Sequence, residues 1–117
     1  MAIVNISTTS DQDYVHGFIL MAGDTPIDLT GQSMRMGVRR HAQDSEEQLL
    51  LTTENGGITI VDPPGGKFVL TIRQATLLAL YFGDYEHSLI RIIHYADGDI
   101  RYRVWSGTLS HAAGPSR

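Results

Sequence analysis

Lys67-Phe68-Val69-Leu70-Thr71-Ile72-Arg73 is the stretch that decides the architecture. Phe68, Leu70 and Ile72 share one parity, and Lys67, Val69, Thr71 and Arg73 share the other. That period of two is what a pleated strand with one buried face requires. The preceding Pro63-Pro64-Gly65-Gly66 is turn chemistry, and beyond it residues 58–62 form a second short run that follows Asn55-Gly56-Gly57. Two runs joined by such a turn predict an antiparallel hairpin. The same period recurs outward in both directions. Met34, Met36 and Val38 oppose Arg35, Gly37 and Arg39, while Ile100, Tyr102 and Val104 alternate with Arg101, Arg103 and Trp105. Asp97-Gly98 is the strongest two-residue hairpin signal and joins residues 85–96 to 100–110. Residues 13–21 are apolar at both parities, which predicts a strand deep inside the structure.

Two segments depart from this rhythm. Residues 74–82 lack a β-branched run, are rich in leucine and alanine, and end at Gly83, so one or two helical turns are expected, with Gly83 as the cap. In the next strand Tyr85, His87 and Leu89 have one parity and Ile90 and Ile92 the other. Either a bulge near Leu89–Ile90 switches the faces, or the strand is central and covered on both. The polar residues 41–48 read as an exposed loop. Seven or eight short strands with turns at roughly 8–12-residue spacing predict an all-β antiparallel sandwich with one helical turn. A small β-barrel is the alternative.

Composition narrows the functional classes. At 117 residues a single domain, 1–117, is expected. The chain has no cysteine, which removes disulfides, thiolate zinc sites and thiol catalysis. Its longest apolar run, residues 77–82, is far short of a membrane span, and the first residues lack the pattern of a secretion signal. Thirteen acidic residues against nine basic ones speak against tracking a nucleic-acid backbone. The charge is uneven: residues 1–62 hold nine acids and three arginines, and residues 63–117 hold four acids and six bases.

No pattern of catalytic or metal-binding residues emerges, so no enzyme activity and no cofactor are expected. The five histidines do not fall at zinc-ligand spacing, and His87 and His94 would lie about 23 Å apart along a strand. Ser33 and Ser106 have no base nearby in sequence. Asp97 and Asp99 flank a glycine, as a tight turn demands. Gly56-Gly57 and Gly65-Gly66 lack the lysine and the strand–helix setting of a phosphate loop.

Surface contact is the remaining chemistry. If the alternation holds, Arg101, Arg103 and Trp105 project from one face, a composition typical of interface hot spots. A bulge at Gly107 would instead turn Trp105 into the core. Arg35 and Arg39 are further candidates on another strand. A second class of function, an immunoglobulin-like module binding carbohydrate or another ligand, would use Trp105, Tyr95 and Tyr102 as stacking platforms.

Taken in order, the landmarks resemble a family of small structural proteins of tailed bacteriophages and prophages. These are encoded among the tail and baseplate genes and are similar to the immunoglobulin-like N-terminal domain of upper baseplate proteins. The resemblance is carried by Pro26-Ile27-Asp28-Leu29-Thr30-Gly31, the arginine-bearing strand from Met34 to Arg39, and the hairpin of residues 57–61 and 67–72. Residues 74–80, Gly83-Asp84-Tyr85-Glu86-His87-Ser88-Leu89, Ala96-Asp97-Gly98 and Trp105-Ser106-Gly107-Thr108-Leu109 continue it. His87 and Ser88 stand where the family pattern has Tyr and Asp, and Gly114-Pro115-Ser116-Arg117 echoes its usual ending only in part. The resemblance implies an immunoglobulin-like sandwich with a structural role in the virion tail, assembled in the host cytoplasm. It also implies other tail or baseplate proteins as partners, a closed homo-oligomer, and no nucleic-acid or membrane partner.

Overall fold

Alternating side chains need a second layer to bury their apolar face, and this chain supplies both layers itself. The computed structural model describes residues 2–116. Met1, the first residue of the segment that lacks the pattern of a secretion signal, and Arg117, the last residue of the partial terminal echo, lie outside the described residues. These form β1 (Ala2–Ile3), β2 (Ile6–Thr9), β3 (Tyr14–Ile19), β4 (Met21–Ala22), β5 (Thr25–Pro26), β6 (Ser33–Arg39), β7 (Leu49–Thr52), β8 (Ile58–Asp62) and β9 (Lys67–Ile72). The helix α1 (Gln74–Ala79), β10 (Gly83–Tyr95) and β11 (Gly98–Ala112) follow.

One sheet has the order β1–β11–β10–β6–β7, with β2 continuing beside β11 past β1; the other is β3–β9–β8. Neither closes on itself, so the molecule is a sandwich and not a barrel. β1 and β2 run parallel to β11, and the other pairings in the two sheets are antiparallel. In immunoglobulin lettering this is an A′GFCC′ sheet against a BED sheet, the constant-type sheets with a C′ strand added beside C.

The deciding stretch behaves as its pattern requires. Phe68, Leu70 and Ile72 are buried and meet Met34, Met36, Val38, Leu89 and Leu109 from the facing sheet. The α1 helix crosses one end and inserts Leu77. It stops at Leu80 in extended backbone, so Gly83 does not cap it. Gly83, at φ 123°, instead opens β10.

At that corner the Tyr85 hydroxyl donates to the Tyr81 carbonyl, and the Arg40 guanidinium stacks 4.2 Å from the Tyr85 ring centre. A tyrosine at the start of strand F, bonded back to the chain a few residues upstream, is the tyrosine corner of immunoglobulin-like domains. In antibody domains the cysteine of the inter-sheet disulfide sits two residues later. Here that place is held by buried His87.

Three expectations change. Residues 13–21 read as one deep strand, but the run is divided between β3 and the short β4, and β3 is an edge strand with Val15 61% and Ile19 55% exposed. The parity switch at Leu89–Ile90 does coincide with a register shift, but the extra residue lies on the partner strand. Leu89 faces Trp105 and Ile90 faces Arg103, so Val104 is the bulged residue. β10 pairs with β6 without interruption, which leaves Ile90 and Ile92 half-buried on the outer face of a central strand. Finally, Trp105 does not share a face with Arg101 and Arg103. The bulge at Val104 inverts the alternation between them, and Trp105, 4% exposed, packs 4.7 Å from the Phe18 ring and 5.9 Å from the Phe68 ring. Trp105 is therefore a core residue, and the residue that turns it inward is Val104, not Gly107.

Candidate surface on the outer face of the large sheet

The outer face is built from whatever the core does not take. On β6, burying Met34, Met36 and Val38 leaves Arg35, Gly37 and Arg39 outside. Register then sets the neighbours. Arg39 lies beside Glu86, which faces Thr108; Gly37 lies beside Ser88, which faces Ser106; and Arg35 lies beside Ile90, which faces Arg103. Three of the residues singled out from sequence, Arg35, Arg39 and Arg103, thus line one open concavity of about 600 Å³, together with Ile3, Glu47, Glu86 and Ile90. Arg101, opposite Ile92, stands one step further toward the hairpin tip and outside that concavity.

The loop at residues 40–48 closes one side. Arg35 Nη2 donates to both Glu47 carboxylate oxygens at 2.8 Å, and Arg39 approaches Glu47 at 3.6 Å. Arg39 also donates to the Asp44 carbonyl, and the Ala42 N–H donates to Glu86. Gly37 leaves room for this arrangement, since a Cβ there would come within 2.6 Å of the Glu47 carboxylate. Partly exposed ion pairs of this kind contribute about 0–1 kcal/mol. Their effect here is to hold two guanidinium planes in fixed orientation. With three arginines against two glutamates, the concavity is net positive on a net-acidic chain.

Sequence reasoning missed Glu47, because a polar loop carries no signal of where its carboxylates land. It also missed a histidine-centred chain near the tip of the β10–β11 hairpin. Ser33 Oγ lies 2.8 Å from His94 Nε2, and His94 Nδ1 lies 2.9 Å from Asp99 Oδ1. Ser33 therefore does have a base beside it, 61 residues away in sequence. The order matches a nucleophile, base and orienting acid. Ser33 is buried, however, which closes its hydroxyl to an incoming carbonyl compound. Ser33 faces Ile92 in the last β6–β10 pair, so the chain of bonds clasps the start of β6 to the projecting hairpin.

The two buried histidines divide by partner. His111 is buried but satisfied by Thr8 Oγ1 at 2.9 Å and the Leu77 carbonyl at 2.8 Å. His87 is buried with no hydrogen bond to either ring nitrogen. Burial pulls its pKa below the ordinary 6.5, and the nearby Val4 and Thr108 backbone groups offset this in part. Among the described residues no cluster of three or more histidine, aspartate or glutamate side chains could hold a metal ion.

Of the three aromatics expected to stack on sugars, Trp105 is in the core and Tyr102 lies under the Arg91 guanidinium, 5.2 Å from its ring centre. Tyr95 is exposed.

No family model and no curated protein matches the chain. Among solved structures it is similar to the crystal structure of AggA, the major subunit of aggregative adherence fimbriae type I from Escherichia coli. Identity is 12% and the TM-score is 0.32, over 94% of this chain and 89% of that one.

Proposed function

We propose that this chain is a non-catalytic structural protein of the tail or baseplate region of a phage or prophage, which works by docking other virion proteins on the outer face of its large sheet. The observation that carries the reading is the convergence of Arg35, Arg39 and Arg103 around exposed Ile3 and half-buried Ile90 in one concavity. Arginine beside apolar side chains is the composition that protein interfaces favour. Glu47 holds two of the arginines in place beforehand, which lowers the ordering cost of binding. Net positive charge on this face calls for a partner surface that is acidic around an apolar contact. The ordered landmarks between Pro26 and Leu109 support the virion setting, with assembly in the host cytoplasm and a homo-oligomer as the working form.

Two measurements test this. Genes for tail or baseplate proteins are expected on both sides of the coding sequence, and a neighbourhood of metabolic genes would overturn the virion setting. The purified chain is expected to bind at least one of those neighbouring proteins. The Arg35→Glu/Arg103→Glu double variant should bind at least tenfold more weakly while melting within a few degrees of the parent, since Arg103 is exposed and the ion pair of half-buried Arg35 contributes only about 0–1 kcal/mol. Unchanged binding by that variant would remove the outer face from the interface.

A further inference from the structure

β3 is composed like an interior strand and placed at an edge. Tyr14-Val15-His16-Gly17-Phe18-Ile19 contains no charge and no proline, and it pairs with β9 without a bulge. Among the described residues its other edge has no strand on it. Proteins normally blunt such edges with lysine, proline, bulges or extreme shortness, because unpaired N–H and C=O groups template a further strand.

The other edges of this molecule are blunted in those ways. β8 carries a register shift between Ile60 and Asp62 and runs into Pro63-Pro64. On β7 the Asn55 side chain donates to the Leu50 carbonyl and accepts from the Thr52 N–H, occupying the outer edge. The edge beside β11 is divided into the two-residue β1 and the four-residue β2. Only β3, among the described strands of the two sheets, is long, uncharged, regular and open.

We propose that β3 pairs antiparallel with β3 of a second copy about a two-fold axis through Gly17, joining the two small sheets into one six-stranded sheet. The pleat restricts the register. Opposed residues share a face, so the positions facing each other must have the same parity if both inner faces are to stay inside. A centre on Gly17 satisfies this. It sets Gly17 against Gly17, Val15 against Ile19, and His16 against Phe18 of the other copy.

The two most exposed apolar side chains of the strand thereby cover each other. The inner-face row of Tyr14, His16 and Phe18, whose neighbouring rings lie 6.2 and 4.6 Å apart, continues into its symmetry mate. With no charge on either side, a second copy needs no counter-charge, and an isologous contact of this kind closes as a dimer. The alternative centre, on His16, would face Val15 with Gly17 and leave Ile19 uncovered. A six-residue contact falls at the small end of specific interfaces, so dimerisation is expected in the range of roughly 10 to 500 µM.

Because the chain has no cysteine, the register can be read directly. A Cβ at Gly17 meets nothing closer than 3.9 Å, so Gly17→Cys leaves the fold intact. Opposed residues of an antiparallel pair lie about 4.5–5.5 Å apart at Cα, within disulfide reach. Under mild oxidation Gly17→Cys should form a disulfide-linked dimer at least tenfold faster than Val61→Cys, a control on the outer edge strand β8. Sedimentation of the unmodified chain should show a monomer–dimer equilibrium that Val15→Lys/Ile19→Lys shifts to monomer. A chain that stays monomeric at 500 µM, or Gly17→Cys that cross-links no faster than Val61→Cys, overturns the proposal. The contact does not depend on the outer face of the large sheet, so Arg35→Glu/Arg103→Glu should leave cross-linking unchanged.

Discussion

His87 shows what one residue can carry. Its place in the chain follows from parity, since Tyr85, His87 and Leu89 all point inward from β10. Its charge state follows from burial, because enclosing an imidazolium costs more than enclosing a neutral ring, and the Val4 and Thr108 backbone groups offset only part of that cost. The consequence for stability has a definite sign. With the native pKa depressed below 6.5, the unfolded chain takes up the proton first as pH falls. Stability is therefore complete above about pH 6.5 and declines below it, until the native ring itself becomes protonated. Replacing the ring by an apolar side chain removes that contribution. Thermal melts between pH 5 and 8 should show the melting temperature of the parent falling more steeply toward acid than that of His87→Leu. Parallel curves would mean that His87 is not the source of the slope. Its shared parity with Tyr85 and Leu89 was legible from alternation, but its full burial was not, since the histidines read as surface or half-buried residues, and neither were the absent hydrogen-bond partners. They depend on where Val4 and Thr108 place their backbone groups, and neither is near His87 in sequence.

At the scale of elements, the strands and turns were largely visible because each is encoded locally. Asn55-Gly56-Gly57 and Pro63 to Gly66 fall between strands as expected, and 74–79 is helical, while the last hairpin turns one residue earlier than expected, at Ala96-Asp97, with Gly98 already the first residue of β11. Relations between strands were less visible. The parity switch after Leu89 pointed to a bulge, but one strand's pattern does not record which partner holds the extra residue. Val104 holds it, and the consequence, Trp105 turned away from Arg101 and Arg103, reverses part of the proposed contact surface. Likewise the apolar pattern of residues 13–21 reports what β3 can bury, not whether this chain covers it. Gly107 makes a related point about the first strand pieces. A Cβ there would overlap the Val4 carbonyl oxygen, so only glycine allows the chain to cross close between β1 and β2. Forcing extra volume into such a contact costs about 1–3 kcal/mol. Gly107→Ala should accordingly destabilise the protein by that amount and speed hydrogen exchange at the Val4 amide, which donates to the Ser106 carbonyl at 2.9 Å. Protection of Val4 equal to that of the parent would show that the crossing tolerates a methyl group.

For the whole molecule the question is whether two sheets unfold as one body. No disulfide ties them, and the position of the usual inter-sheet bridge on β10 is held by His87, so side-chain packing must do that work. Trp105 stands at the centre of it. The only tryptophan in the chain, it extends from β11 of the large sheet to Phe18 on β3 and Phe68 on β9 of the small one. Its fluorescence therefore reports contact between the layers, whereas far-ultraviolet circular dichroism reports the strands within each. If burial between the layers is what makes each sheet stable, neither should persist after they separate, because each has one apolar face that only the other layer covers. Urea titrations followed by the two signals should then coincide in midpoint, with a common slope of roughly 1–3 kcal/mol per molar. A fluorescence transition that precedes the dichroism transition would mean that the six-stranded sheet, with its long β10–β11 hairpin, survives alone. The packing of Trp105 would then be a late addition to a sheet already stable by itself.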